Sequence, residues 1–418
     1  MGNRLKATDI RNDPLRAYAG TRIIPIILIV TAVCFGIFNT DCSADSNLGS
    51  LAALIGTRDA ILVTDPDGQV LISKNKDRPL IPASTLKVFT SLVALHYLGP
   101  DYRFVTEFYL DSDFNLTIKG YGDPLLVSEI VADIAQTLRS RLRRINHIIL
   151  DDSYFAQPLV IPGVSSSPEP YDAPNGALCV NFNTVSFQKV NGLFVSAEPQ
   201  TPLLPMVLQR VKASKLTEGR IVLSHNKNEI TLYSGHLFAY FLERNNIPVS
   251  GRIKMGEVQS DKDRLILRYE SPFTLIDIIG RLLEFSNNYI TNQILIASGV
   301  RAYEGPGTLD KGVRAAITYA DQFLHLKSIN LIEGSGISRT NRIGAQDLSR
   351  ILDAFSPYYT LMRHNGPQYY KSGTLRGIST RVGYIQNPDG RLTRFVVLLN
   401  SKGKSAERIT RRLVNALN

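Results

Sequence analysis

Three short strings fall in a fixed order along this chain: Ser84-Thr85-Leu86-Lys87, Ser286-Asn287-Asn288 and Lys371-Ser372-Gly373-Thr374. Together they carry hydroxyls, amines and a side-chain amide, the groups that acyl transfer needs as nucleophile, base, proton relay and substrate clamp. A lysine three residues after a serine on a helix shares its face, with about 5–6 Å between Cβ atoms. The helix N-terminus adds partial positive charge where an oxyanion would form. An amine in apolar, like-charged surroundings loses basicity and can act as a neutral general base.

The first string is common by itself, since S-x-x-K also begins at Ser73, Ser186, Ser224 and Ser401. Those four sit in polar, turn-like company. Ser84 alone follows Pro82-Ala83 and opens an apolar run, Leu86 to Leu98, that stops at Gly99-Pro100. Pro before and Gly-Pro after punctuate a helix, and apolar residues nearly all round predict a buried one. Alone, the string reads more readily as an N-cap at Ser84 and a snorkelling surface residue at Lys87, and a lysine on an otherwise apolar helix tilts the reading back toward chemistry.

Ser-x-Asn also recurs, at Ser73, Ser224 and Ser328. At Ser286 it interrupts two helical patterns, Phe273 to Glu284 and Tyr289 to Ala297, where it reads either as an Asx turn or as a second hydroxyl and a substrate-holding amide. Lys371-Ser372-Gly373 is the single K-[ST]-G. Its surroundings predict a strand, and a Gly there marks close approach of a ligand or another backbone. An edge strand could take an extended peptide by strand addition, with Lys371, Ser372 and Thr374 on a terminal carboxylate.

Order and context join the three strings. The chain resembles the class C low-molecular-mass penicillin-binding proteins, the penicillin-binding protein 4 type of D-alanyl-D-alanine carboxypeptidase and endopeptidase. The resemblance covers most residues after about 50. It includes Gly122-Asp123-Pro124, Asp151-Asp152-Ser153-Tyr154-Phe155, Asn181-Phe182-Asn183-Thr184 and Gly334-Ser335-Gly336-Ile337-Ser338-Arg339, read as landmarks and not as chemistry. It departs at Asn287, where the family pattern has an aspartate.

The resemblance implies an α+β transpeptidase/β-lactamase-like domain, an antiparallel sheet with flanking helices plus an all-α region, carrying a β-rich inserted domain. It implies Ser84 as nucleophile, Lys87 as base, backbone N–H groups of Ser84 and Thr374 as oxyanion hole, and Ser286 and Lys371 as proton relay. Asn288, Ser372, Gly373 and Thr374 would bind substrate. Peptidoglycan stem peptides and β-lactams are the implied partners, and no cofactor or metal is required. A serine β-lactamase or a silent wall-binding protein is the alternative. Class A β-lactamases are compact between the first two motifs, whereas about 200 residues separate Ser84 from Ser286 here. Those enzymes also use a Glu-x-x-x-Asn element, and the match here, Glu284 to Asn288, overlaps the second motif itself.

Composition agrees with a globular enzyme: 44% hydrophobic and 20% charged residues, with a net charge of +10 that favours an anionic polymer or surface. No zinc-finger spacing, Walker loop, arginine-rich run or stacking platform points to nucleic acid. Basic residues before an apolar stretch at 23–38 predict export, through a signal peptide cleaved near Cys42-Ser43-Ala44 or an uncleaved membrane anchor. The expected location is the periplasm or the outer face of the cell membrane. Cys179 is the one cysteine past that segment and reads as a buried structural thiol.

The expected organisation is therefore 1–44 as export segment, 45–104 and 233–418 as peptidase domain, and 105–232 as the insertion. Within the insertion Met206 to Val211 and Ile230 to Tyr233 read as strands, and Val127 to Leu142 as a helix. A hairpin across Asp65-Pro66-Asp67-Gly68, three late strands and a helix from Ser405 to Leu417 complete the pattern.

Overall fold

The structure, a computed structural model, describes residues 49–417. The export segment, with its apolar stretch at 23–38, lies outside the described residues. Among the described residues no helix is long and apolar enough to cross a membrane.

Every residue of β1 (Asp59–Thr64) is buried, because both faces of its sheet are covered. It turns into β2 (Val70–Lys74) through the expected hairpin, where Gln69 N–H donates to Asp65 Oδ1 at 2.7 Å and Gly68 takes φ 87°. A tight turn at Ala83–Leu86 leads into α1 (Lys87–Leu98), buried from Lys87 to Leu95 and ended by Gly99 at φ 88°. The helix expected to open at Ser84 thus begins one turn later, with Ser84 on the 3-10 turn that feeds it.

Next come β3 (Arg103–Leu110), β4 (Leu116–Gly120), α2 (Ser128–Leu138), β5 (Ile148–Asp151), β6 (Thr184–Val190) and β7 (Leu193–Ser196). They are followed by α3 (Pro205–Ser214), β8 (Glu218–Val222), α4 (Lys227–Arg244), β9 (Ile253–Met255) and β10 (Arg264–Thr274). One mixed sheet has the order β10-β3-β4-β5-β9 and a small antiparallel sheet the order β7-β6-β8. The mixed sheet takes in β9 and β10, which follow residue 232 in sequence.

Two expected strands are helical. Met206 to Val211 lies in α3, which Pro205 opens, and Ile230 to Tyr233 lies in α4, where the Asn226 side chain accepts from Asn228 N–H. Short apolar runs fit either element, and here the caps decided. The expected helix at Val127 to Leu142 ends at Leu138.

The all-α region holds α5 (Leu275–Phe285), α6 (Asn288–Tyr303), α7 (Leu309–Gln322) and α8 (Ala345–Phe355). The chain closes with β11 (Arg363–Asn365), β12 (Gln368–Leu375), β13 (Ile378–Gln386), β14 (Leu392–Leu399) and α9 (Ala406–Leu417). The principal sheet is antiparallel, in the order β11-β12-β13-β14-β1-β2. Strand alternation splits it cleanly. Ile61, Val63, Phe395 and Val397 pack with Ile409 and Leu413 of α9, while Ala60, Leu62, Val396 and Leu398 face α1 and α8. This is the expected α+β arrangement.

Helix α6 joins the regions. It is buried from Tyr289 to Gly299, and its polar side chains are satisfied by loops from elsewhere. Gln293 Nε2 donates to the carbonyls of Gly122 and Gly176, both at 3.0 Å, and Asn175 Nδ2 donates to Tyr289 O at 2.9 Å. Gly122, one of the sequence landmarks, therefore serves packing. Cys179 is buried as expected, and burial pushes its thiol up to about 12.

Candidate active site

The turn before α1 holds Ser84 between Ala83, at a left-handed φ of 49°, and the buried Thr85, whose hydroxyl donates to Pro82 O at 2.7 Å. Lys87 then projects into the protein, fully buried. Its Nζ donates to Ser84 Oγ at 3.0 Å, Asn288 Oδ1 at 2.7 Å and Ser335 O at 2.7 Å. Burial and the neighbouring Lys371 hold the Lys87 amine well below the ordinary lysine range, while the Glu333 carboxylate opposes them. In its neutral form the amine keeps its two N–H groups on Asn288 Oδ1 and Ser335 O and turns its lone pair to the Ser84 hydroxyl, the pairing that general-base activation needs.

The second string lies between two helices. Ser286 terminates α5 in the left-handed region at φ 55°, which turns its hydroxyl toward β12. Asn287 caps α6, its side chain accepting from Ile290 N–H at 3.0 Å. Asparagine and aspartate cap helices equally well, so the departure at Asn287 keeps the same local geometry. Asn288 begins α6 and donates from Nδ2 to Tyr171 O at 3.3 Å while accepting from Lys87.

The third string lies in β12. Lys371 is only 2% exposed, and its Nζ donates to Ser286 Oγ at 2.8 Å and Ser372 O at 2.9 Å. Burial, with Arg363 nearby, pushes its amine down to about 7. Ser372 is half-buried and Thr374 exposed, out of phase with Lys371 and Gly373 on the pleat. A Cβ on Gly373 would sit 2.7 Å from Ser84 N and 2.4 Å from Thr380 Oγ1, so only glycine lets the strand approach the serine turn. Pairing with β11 ends at the Arg363–Tyr370 pair, which leaves the outer edge of Lys371 to Leu375 without a neighbouring strand. All three strings thus meet at one place.

One contributor went unread in the sequence. The landmark string at Gly334 forms the wall behind Lys87, and its organiser is Glu333, fully buried. Its carboxylate accepts from the backbone N–H groups of Ser335 at 2.7 Å, Gly336 at 2.8 Å and Ser338 at 3.3 Å. It also accepts from the Ser335 hydroxyl at 2.7 Å and from the amides of Asn341 at 2.6 Å and Asn292 at 3.3 Å. The loop so fixed presents Ser335 O to Lys87. Gly336, at φ 80°, passes so close that a Cβ would fall 1.9 Å from Ala83 O. A buried acid among Gly and Ser residues was the available signal, since such a charge needs several donors.

Comparison with known proteins fits this geometry. The sequence model of the D-Ala-D-Ala carboxypeptidase 3 (S13) family matches residues 45–364, about three quarters of the chain. The chain belongs to the S13 family. Its enzyme class is serine-type D-alanyl-D-alanine carboxypeptidase. The match stops short of β12, so the place of Lys371 in this S13 enzyme rests on geometry. A D-alanyl-D-alanine carboxypeptidase of Actinomadura sp. (strain R39) is 25% identical over 422 residues, covering 82% of this chain and 78% of the relative. The carboxypeptidase DacB of Haemophilus influenzae is 21% identical over 398 residues, covering 79% and 83%. The crystal structure of penicillin-binding protein 4 from H. influenzae superimposes with a TM-score of 0.71 at 16% identity, covering 88% of this chain and 98% of that one. A penicillin G-acylated predatory endopeptidase of Bdellovibrio bacteriovorus, solved with its immunity protein, gives 0.52 at 16% identity over 86% and 92%. These two structures share the fold.

Two outcomes are expected. Glu333→Gln puts an amide against a ring of donors, and should cost about 3 kcal/mol or more in denaturant unfolding. It should also slow penicillin acylation. Asn287→Asp should leave unfolding and acylation unchanged, whereas Asn287→Ala should cost about 1 kcal/mol through the lost cap.

Proposed function

We propose that this S13 carboxypeptidase works by acyl transfer through Ser84 on peptidoglycan stem peptides, and that it is acylated by penicillin. Ser84 Oγ attacks the D-Ala carbonyl and passes its proton to Lys87 Nζ. Backbone N–H groups of Ser84 and Thr374 receive the oxyanion. The C–N bond then breaks, and the proton held by Lys87 passes through Ser286 and Lys371 to the leaving amine. Water attacks the ester and gives its proton to the freed Lys87 amine, which returns it to Ser84 Oγ as the ester C–O bond breaks. Asn288 holds the acyl side, while Lys371, Ser372 and Thr374 bind the terminal carboxylate. The observation that carries this reading is the buried Lys87 amine 3.0 Å from Ser84 Oγ.

Two finer readings accompany it. The unpaired edge at Lys371 to Leu375 suits an extended peptide, so the same clamp should serve both the last bond of a stem peptide and a cross-link, giving DD-endopeptidase activity as well. Peptidoglycan lies outside the cytoplasmic membrane, so residues 1–44 would export the enzyme, either as a cleaved signal peptide or as a membrane anchor through 23–38. The β-lactamase alternative needs a deacylating base, and Glu284 is exposed near the end of α5. Intact-mass measurement after penicillin exposure separates the readings: a persistent adduct supports this one, a fleeting adduct a β-lactamase, and none a silent protein.

Ser84→Ala should abolish the adduct while the protein stays folded, and labelling that moved to Ser73 or Ser286 would overturn the assignment. Lys87→Ala should slow acylation roughly 10²–10⁴-fold, the usual effect of a lost general base, in stopped-flow measurements. Burial pushes the Lys371 amine down to about 7, which makes it charged below that pH and neutral above it. Affinity for an acyl-D-Ala-D-Ala peptide should therefore weaken as pH rises through about 7, and Lys371→Ala should flatten that dependence.

A further inference from the structure

The open edge of β12 is short. Among the described residues no strand lies outside Lys371 to Leu375, but from Tyr370 back to Gln368 the same edge is taken by β11. Arg363 stands opposite Tyr370, His364 opposite Tyr369 and Asn365 opposite Gln368. A peptide adding antiparallel to the open part runs with its C-terminal side toward Gln368. Strand addition therefore stops beside Lys371, where the carboxylate of the departing residue is held in the reading above. β11 is a firm stop. Met362, just before it, is buried and donates its N–H to Tyr359 O at 3.0 Å. Behind β12, a Cβ on Gly383 would fall 2.0 Å from Tyr369 O, so β13 backs this segment closely. A leaving group that continues past its carboxylate must quit the edge and lie over the face of the sheet.

What it meets there follows from the pleat. Side chains two residues apart on a strand share a face, so Tyr369 lies on the face of Lys371. Tyr370 is on the other face, packed toward α9 with Arg381 over its ring at 4.1 Å. His364, directly opposite Tyr369, shares the catalytic face, and the two ring centroids are 5.7 Å apart. Tyr359 meets Tyr369 edge-on at 4.7 Å and supports it from the core side. Tyr369 is half-buried and His364 exposed. The result is an aromatic shelf about 7 Å beyond Lys371, two strand residues at about 3.4 Å each. Aromatic faces of this kind cover apolar chains. A departing D-Ala offers only a methyl group and its carboxylate, and it ends short of the shelf. A departing residue with a long aliphatic side arm, through which a second peptide can be attached, crosses that distance.

We propose that His364 and Tyr369 form a leaving-side shelf for the aliphatic arm of the departing residue, and so determine specificity for cross-linked peptides over single terminal residues. The inference rests on the acyl-transfer reading above and adds to it the residues that sort its leaving groups. Lys371 holds the carboxylate in either case, and the shelf acts only when the arm is long. Its contact is apolar and made before the bond breaks, so it acts through KM.

The test uses two peptides with the same acyl part, one ending in D-Ala-D-Ala and one in D-Ala-D-norleucine, whose unbranched side chain reaches the shelf, together with a purified cross-linked muropeptide dimer. His364→Ala should lower kcat/KM about tenfold for the D-norleucine peptide and the dimer, mainly through KM. Hydrolysis of the D-Ala-D-Ala peptide and acylation by penicillin should stay at the wild-type rate. Tyr369→Ala should act in the same direction and more strongly, with penicillin acylation as the check that the site is intact. An unchanged ratio of the two peptides in His364→Ala, or an equal loss on both, would overturn the inference. So would faster cleavage of the dimer by that variant, which would make β11 a barrier and nothing more. A wild-type enzyme that cleaves none of the three and takes no penicillin adduct would instead overturn the acyl-transfer reading.

Discussion

Two lysine amines, taken out of water a short distance from each other, set the terms for the rest of this site. An ammonium group buried without acceptors is costly, and burial therefore favours the neutral form unless oxygen atoms surround it. Here each amine is given acceptors by segments far apart in sequence. Lys87 is met by Ser84, Asn288 and Ser335, and Lys371 by Ser286 and Ser372. The turn before α1, the break between α5 and α6, the Glu333 loop and β12 must all stand in place for either lysine to be satisfied. Proton affinity and three-dimensional order are in this sense one property.

That requirement explains where the fold spends polar residues in its interior. Helix α6 buries Asn292 and Gln293, which in an isolated helix would be better exposed. Each is matched. Asn292 receives Gly334 N–H at 2.9 Å and donates to Glu333, and Gln293 ties the helix to the loops at Gly122 and Gly176. A buried network of this kind is favourable only when every member is paired, so it fixes one register of helix against loop. The carboxylate of Glu333 completes the balance as a negative charge behind the Lys87 amine.

The candidate site was legible in the sequence because acyl transfer would demand particular side chains at particular spacings, and these survive as short strings. Ser84, Lys87, Ser286, Asn288 and Lys371 all lie in those strings, and the geometry brings them together. The principal sheet was readable too, since β1, β13 and β14 are apolar runs bounded by turn residues. Glu333 was not, because half of its partners are backbone N–H groups, which every residue has. Nor were α3 and α4: Met206 to Val211 and Ile230 to Tyr233 are too short for period 2 and period 3.6 to be told apart. The exchange of strands that puts β9 and β10 beside β3 and β5 is a tertiary choice without a local signature.

The pairing of β1 with β14 ties residue 59 to residue 399. A ribosome adding residues in order makes β1 early, yet its neighbour on that side is formed only near the end of synthesis. Until then, four consecutive apolar residues, Ala60 to Val63, present an open strand edge with only the β2 hairpin to shield the other side. Contacts of such long separation form slowly, and exposed apolar edges invite association with other chains. The nascent protein should accordingly depend on being held unfolded until its last strands arrive, and its yield should be sensitive to crowding by copies of itself.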